Sequence, residues 1–128
     1  MTVSGARIAF FGSTSLLARE VRSCLERRAF HAAGVKLYDR AGEGTLSDFD
    51  GEALVVTRPD EEEILGLDIA FMCGTHAETE PYLDWPSLHG YVAIDLSGAS
   101  RSRPGVPLVH ADINPADVGA GVFATWRG

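Results

Sequence analysis

Ala6-Arg7-Ile8-Ala9-Phe10-Phe11-Gly12-Ser13-Thr14-Ser15-Leu16-Leu17-Ala18 is the stretch whose reading decides the fold. Ile8 to Phe11 is a continuous apolar run, the pattern of a strand buried on both faces. Gly12 breaks it. Three hydroxyl residues follow, each able to cap a helix, and an amphipathic stretch starts at Leu16. A strand that turns at glycine into a helix leaves backbone N–H groups at the helix start without an internal partner. The helix dipole adds positive potential at the same place. Such a turn accepts an anion and suits the diphosphate of a dinucleotide.

Outward from that turn, Leu17, Val21, Cys24 and Leu25 recur at helical spacing, while Arg19, Glu20, Arg22, Glu26 and Arg27 fill the other face. The spacing predicts a helix over 16–28, with Cys24 as a small core residue on its apolar side. Gly34 then opens a second strand, Val35-Lys36-Leu37-Tyr38, with Asp39 and Arg40 at its carboxyl end. Strand, helix and strand in this order form a right-handed crossover, and ligands bind beyond the carboxyl ends of such strands. Asp39 is placed to accept from a ribose 2′-hydroxyl, which favours NAD. Arg40 is placed to pair with a 2′-phosphate, which favours NADP. A third reading makes both merely solvated charges at a strand end. The residues alone leave these open.

Further along, Asp50-Gly51 sits between two strand-like runs and predicts a hairpin inserted between the second and third parallel strands. Pro59 followed by Asp60, Glu61, Glu62 and Glu63 has the look of a short solvated helix start rather than a metal site. Residues 67–73 form another buried strand, from which Gly74-Thr75-His76 turns. A helix carrying Tyr82, Leu83, Trp85 and Leu88 follows, interrupted by Pro86, and then a strand over 91–95. The loop 97–104 carries Arg101 and Arg103. Leu108-Val109 is a brief strand, Asn114-Pro115 opens a helical turn, and residues 121–125 start a last strand. The fold class is α/β, a Rossmann-like doubly wound and mostly parallel sheet with an inserted β-hairpin.

Composition sets the limits. A chain of 128 residues makes one domain with a proper core. Its formal charge of −7 argues against nucleic acid as a partner. Two cysteines are too few for a disulfide framework, and neither a signal-peptide core nor an apolar run of bilayer length is present. A cytoplasmic protein with no membrane partner is expected. His31, His76, His89 and His110 have no metal-ligand spacing.

Three loops at strand carboxyl ends should converge: Gly12 to Leu17, Cys73 to His76, and Ser97 to Arg101. Small residues in all three let backbone approach a flat cofactor closely. The candidate contacts are Gly12, Ser13, Thr14, Ser15, Leu16, Leu17, Asp39, Arg40, Cys73, Gly74, Ser97 and Gly98. Cys73 near His76 has the residue types of a nucleophile and its base. Closeness in sequence gives no hydrogen-bond geometry, so a core or cofactor-wall role is preferred. Arg101 and Arg103 have the chemistry to clamp a phosphate or carboxylate.

Ile8 to Ala18, the Asp50-Gly51 hairpin, Ile69 to Thr75, Ala93-Ile94-Asp95-Leu96-Ser97-Gly98-Ala99-Ser100-Arg101 and Val106-Pro107-Leu108-Val109-His110-Ala111-Asp112-Ile113-Asn114-Pro115 stand in a telling order. That order resembles the N-terminal NAD(P)-binding domain of the aspartate-semialdehyde dehydrogenase family, over nearly the whole chain. The resemblance implies reductive dephosphorylation of an aspartyl phosphate to the semialdehyde with NADPH, through a cysteine thioacyl enzyme and a histidine acid/base. It puts Thr14, Ser15, Leu16 and Leu17 on the pyrophosphate and Arg40 near the 2′-phosphate. Gly74 and Ser97 fall near ribose and nicotinamide, and Arg101 on the substrate phosphate. NADP is the implied cofactor, with NAD as the alternative.

There are departures. Ser15 and Ala18 stand where the family turn has glycine, and Leu96 replaces a usual asparagine. The family's nucleophilic cysteine follows the strand matched by Val122 to Thr125, where this chain has Trp126, Arg127 and Gly128. With neither that cysteine, the catalytic histidine nor the dimerising substrate domain in residues 1–128, the chain is expected to be an NAD(P)-binding domain, inactive alone. A substrate partner and a homodimer would need the full-length enzyme. An open edge at the last strand and the exposed look of Trp85 and Trp126 favour a domain excised from a longer enzyme. The alternatives are an N-acetyl-glutamyl-phosphate reductase domain and a non-catalytic nucleotide-binding module.

Overall fold

The computed structural model describes residues 5–101, 103, 104, 106, 108, 109 and 121–125. β1 (Ala6–Phe11) leads into α1 (Leu16–Arg27) and β2 (Ala32–Tyr38), followed by β3 (Leu46–Phe49), β4 (Glu52–Thr57) and β5 (Ile69–Met72). Two short helices come next, α2 (His76–Thr79) and α3 (Trp85–His89), separated by a 3₁₀ turn at Glu80–Tyr82. β6 (Val92–Asp95), β7 (Leu108–Val109) and β8 (Gly121–Thr125) complete the described elements. The sheet order is β3-β4-β2-β1-β5-β6-β8-β7, and every pairing is parallel except β3 with β4. Without β3 and β7 the order is that of a doubly wound sheet, reversing direction between β1 and β5.

Alternation along β1 divides the core. Ile8 and Phe10 face α1 and pack with Ala18, Leu37 and Cys73, while Ala9 and Phe11 face the opposite layer. Complete burial of Phe10 stabilises the fold by about 3 kcal/mol. In the second layer Ala9, Ala70 and Ala93 are in register across β1, β5 and β6. Beside this row of small side chains lie the large rings of Phe11, Tyr38, Tyr82 and Tyr91, with Trp85 packed against them. Phe11 contacts the rings of Tyr38 and Tyr82 at centroid distances of 5.2 and 5.3 Å.

Asp50 and Gly51 form the hairpin turn with φ of 53° and 80°, the paired positive values that a two-residue turn of this twist needs. The hairpin belongs to the sheet: β4 pairs with β2 through Leu37–Val56 and Tyr38–Thr57 and is itself the third parallel strand.

Several expectations are corrected. Residues 61–66 form turns rather than a helix start. Glu62 N–H bonds the Asp60 side chain and Glu63 N–H the Asp60 carbonyl, a local alternative that competes with helix, and Gly66 at φ 81° reverses the chain. The following helix is broken into α2, the 3₁₀ turn and α3. Pro81 in the 3₁₀ turn and Pro86 in α3 both sit in first turns, where no N–H is required, so Pro86 starts α3 instead of interrupting it. Cys24 is exposed and Arg22 is buried, the reverse of the helix-face reading. β8 lies between β6 and β7 and is no sheet edge. Trp85 packs edge-on against Tyr82 at 4.8 Å. The Asn114-Pro115 turn, His110, Trp126, Arg127 and Gly128 lie outside the described residues.

Candidate functional site

The turn after β1 is built before any ligand arrives. Gly12 has φ 74°, and a Cβ there would stand 2.5 Å from the Gly74 amide nitrogen, so the loops after β1 and β5 touch backbone to backbone. Gly12 and Ser13 N–H both donate to the Tyr38 carbonyl, and Ser15 N–H donates to the Gly12 carbonyl. Thr14 donates to Asp39 Oδ2 through its N–H at 3.1 Å and its hydroxyl at 2.5 Å. Ser15 is the N-cap of α1. Its Oγ accepts from Ala18 N–H and donates to the Cys73 carbonyl, each at 3.0 Å. The hydroxyl at this non-glycine position therefore ties two loops together.

The amides of residues 12–15 are thus spent inside the protein, contrary to a turn with all its N–H groups open. Among the described residues, those of Leu16 and Leu17 have no acceptor. They sit at the positive end of a twelve-residue helix, where an anion is stabilised. The Leu16 side chain is 75% exposed.

Above the carboxyl ends of β1, β2 and β5 opens a cleft of about 320 Å³. Gly12 and Gly74 form part of its wall, with Asp39 and Arg40 after β2 and Thr79 and Tyr82 from the helical layer. Asp39 is buried and turned inward: Oδ2 holds Thr14, and Oδ1 accepts from Ala41 N–H at 3.0 Å. Arg40 is exposed, and its Nε donates to Tyr82 Oη at 3.2 Å.

The third loop is organised by a residue that sequence reasoning missed. Asp95, with 1% of its surface exposed, ends β6. Its Oδ1 accepts from Ser97 N–H, Ser97 Oγ and Gly98 N–H, and its Oδ2 from Ser100 N–H and Oγ. Burial, the largest single influence, pushes its pKa up, but the bonds from Ser100 and Ser97 together outweigh it and hold the carboxyl below the usual range. The signal was a strand-ending Asp with serines two and five positions later. Ser97 spends both its N–H and its hydroxyl on Asp95. Gly98 has φ 83°, and a Cβ there would stand 3.1 Å from His76 Nε2, so the second and third loops meet as well.

Arg101 is exposed, and its N–H donates to the Gly98 carbonyl. Arg103 is no clamp for a ligand: it grips Glu80 at 2.7 Å and Asp84 at 2.8 Å, pinning this loop to the helical layer. Cys73 is buried in the core under α1, while His76 is exposed and faces Gly98. No cluster of three metal-ligating side chains occurs among the described residues. Nor is any described helix long and apolar enough to cross a membrane.

Two open amides at a helix start, set at the point where strand order reverses and beside a cleft, define a nucleotide-binding α/β domain. The chain belongs to the semialdehyde dehydrogenase family, whose NAD-binding domain matches residues 7–120. It is 33% identical over 116 residues to aspartate-semialdehyde dehydrogenase of Aquifex aeolicus, covering 89% of this chain and 34% of that protein. The Synechocystis enzyme of the same name is 30% identical over 113 residues, covering 88% and 33%. Aspartate semialdehyde dehydrogenase II of Vibrio cholerae shares the fold with a TM-score of 0.82 at 20% identity, over 96% of this chain and 42% of that one. The chain therefore spans about a third of the length of the curated relatives it matches.

Proposed function

We propose that the chain is the cofactor-binding part of an NADP-dependent aspartate-semialdehyde dehydrogenase, a cytoplasmic enzyme of amino-acid biosynthesis. The full-length protein, a homodimer, would interconvert aspartyl phosphate and aspartate semialdehyde. The names of the relatives support the substrate. One observation carries the choice of cofactor: Asp39 has both carboxylate oxygens engaged within the protein, while Arg40 faces the same cleft from the surface. A carboxylate committed to Thr14 and Ala41 is a poor acceptor for a ribose 2′-hydroxyl, and an exposed guanidinium suits a 2′-phosphate.

The residues fit such a ligand. Leu16 and Leu17 N–H groups would bond the diphosphate, and Arg40 the 2′-phosphate. Gly12, Gly74 and Gly98 allow close approach of nucleoside and backbone, with Cys73 behind the wall. Arg101, on the loop that Asp95 shapes, would hold the substrate phosphate. Bound there, the nicotinamide supplies or accepts the hydride. None of the described side chains is assigned the covalent step, which falls to the rest of the enzyme.

Melting curves and calorimetric titration of the chain with NADP and with NAD test the proposal. NADP at a hundredfold excess over its Kd should add about 2.7 kcal/mol of stability by mass action. NAD should bind more weakly, and Arg40→Ala should narrow the difference. Absence of any shift with either dinucleotide at millimolar concentration overturns the proposal.

A further inference from the structure

Arg22 is a charged side chain hidden inside the domain. Only 4% of it is exposed, and its guanidinium lies over the Phe10 ring, 5.5 Å from the centroid. Nη1 donates to the Ser13 carbonyl at 2.9 Å and Nη2 to Ser47 Oγ at 3.3 Å. It makes no ion pair among the described residues. Burial and then repulsion from Arg19 lower its pKa, against the opposing influence of Cys73, Asp48 and Glu26, and an arginine stays charged throughout.

An unpaired buried cation is costly, so its position calls for a physical account. One lies across a single peptide. Arg22 holds the oxygen of the Ser13–Thr14 peptide, and Asp39 holds its N–H at 3.1 Å. Cation and anion thus grip opposite ends of one amide dipole, each at the end its sign favours. That peptide lies in the turn just before Leu16 and Leu17. It is also the turn that Ser15, standing in place of an expected glycine, closes as the N-cap of α1.

We propose that Arg22 is a positioning residue for dinucleotide binding. Opposed by Asp39 through the Ser13–Thr14 peptide, it holds the turn in the shape that aims the Leu16 and Leu17 amides at the diphosphate. This rests on the function proposed above. A plain staple of the fold would weaken every ligand alike when removed. A device that sets the turn acts on ligands that carry a diphosphate.

The test is calorimetric titration of the chain, wild type, Arg22→Met and Arg22→Lys, with NADP and with adenosine 2′-monophosphate, which lacks the diphosphate. Melting curves of each protein accompany the titrations. Arg22→Met should raise the Kd for NADP about tenfold, a modest effect for a misplaced binding group. Its Kd for adenosine 2′-monophosphate should change less than about twofold. Arg22→Lys, still able to donate to Ser13, should recover much of the loss. Should the methionine variant not fold, the lysine variant carries the test, with a smaller loss confined to NADP. Equal losses on both ligands, or no loss on NADP, overturn the role of Arg22 while leaving the cofactor reading intact. Wild-type protein that binds neither ligand overturns both.

Discussion

Replacing Asp95 by asparagine keeps the shape of the side chain and removes its charge. The carboxylate accepts five hydrogen bonds, three on Oδ1 and two on Oδ2. Whichever way the amide turns, its NH₂ group faces a backbone N–H that cannot move aside: Ser100 on one side, Ser97 and Gly98 on the other. At least two charge-assisted bonds are lost, each worth about 1.5–3 kcal/mol, and rotation of a serine hydroxyl to accept from the amide returns part of this. A net cost of about 3 kcal/mol follows. For a domain of this size that is a fall of roughly 10 °C in Tm at pH 7.

The pH dependence gives a second reading of the same change. The native carboxyl titrates below the unfolded value of 3.8, so the wild type holds its full advantage above that value. The advantage is lost as the pH falls through 3.8 toward the folded pKa. The asparagine variant has no such group to titrate. Melting both proteins from pH 7 to pH 3 should therefore show a wide gap that narrows below about pH 4. A variant melting within about 2 °C of the wild type at pH 7, or a gap that stays constant to pH 3, would refute the account of this loop.

Gly12→Ala should cost about 2 kcal/mol or more and abolish dinucleotide binding, because φ 74° and the Gly74 backbone leave no room for a methyl group; denaturant melts and titration check both. Tyr38→Phe should leave stability within about 0.5 kcal/mol or raise it, since the buried hydroxyl has no partner among the described residues. Burial and the nearby Glu63 and Asp60 push the Tyr38 phenol up to about 12. The phenol therefore leaves stability independent of pH below the unfolded value of 10.0, and the wild type loses stability relative to Tyr38→Phe as the pH rises from there toward 12, which melts of both proteins across that range would show. Ala29→Gly should stabilise the protein by about 1 kcal/mol, because Ala29 closes α1 at φ 52°, a conformation glycine adopts freely; thermal melts decide.

What the sequence disclosed follows from how local each signal is. Ile8 to Phe11, the break at Gly12 and a hydroxyl cap among residues 13–15 are decided by neighbours in the chain; the structure carries them and gives the cap to Ser15. Asp50-Gly51 is local in the same way. Arg22 was hidden because a helical pattern assigns charge to the solvent face. Its burial depends on Ser13, Phe10 and Ser47, brought together only by the fold. Asp39 was legible as a residue at the right place, but its inward direction is fixed by Thr14, twenty-five positions away. The broken helical layer misled for the opposite reason: Pro81 and Pro86 begin short helical pieces here, whereas a proline in a periodic pattern suggests interruption.

The row formed by Ala9, Ala70 and Ala93 bears on a place it never reaches. Phe11, Tyr38 and Tyr82, which rest beside that row, also line the cleft. Those rings and the alanines share one packed layer, so a larger side chain in the row would compete with them for the same space, and the cleft wall would feel a change made inside the core.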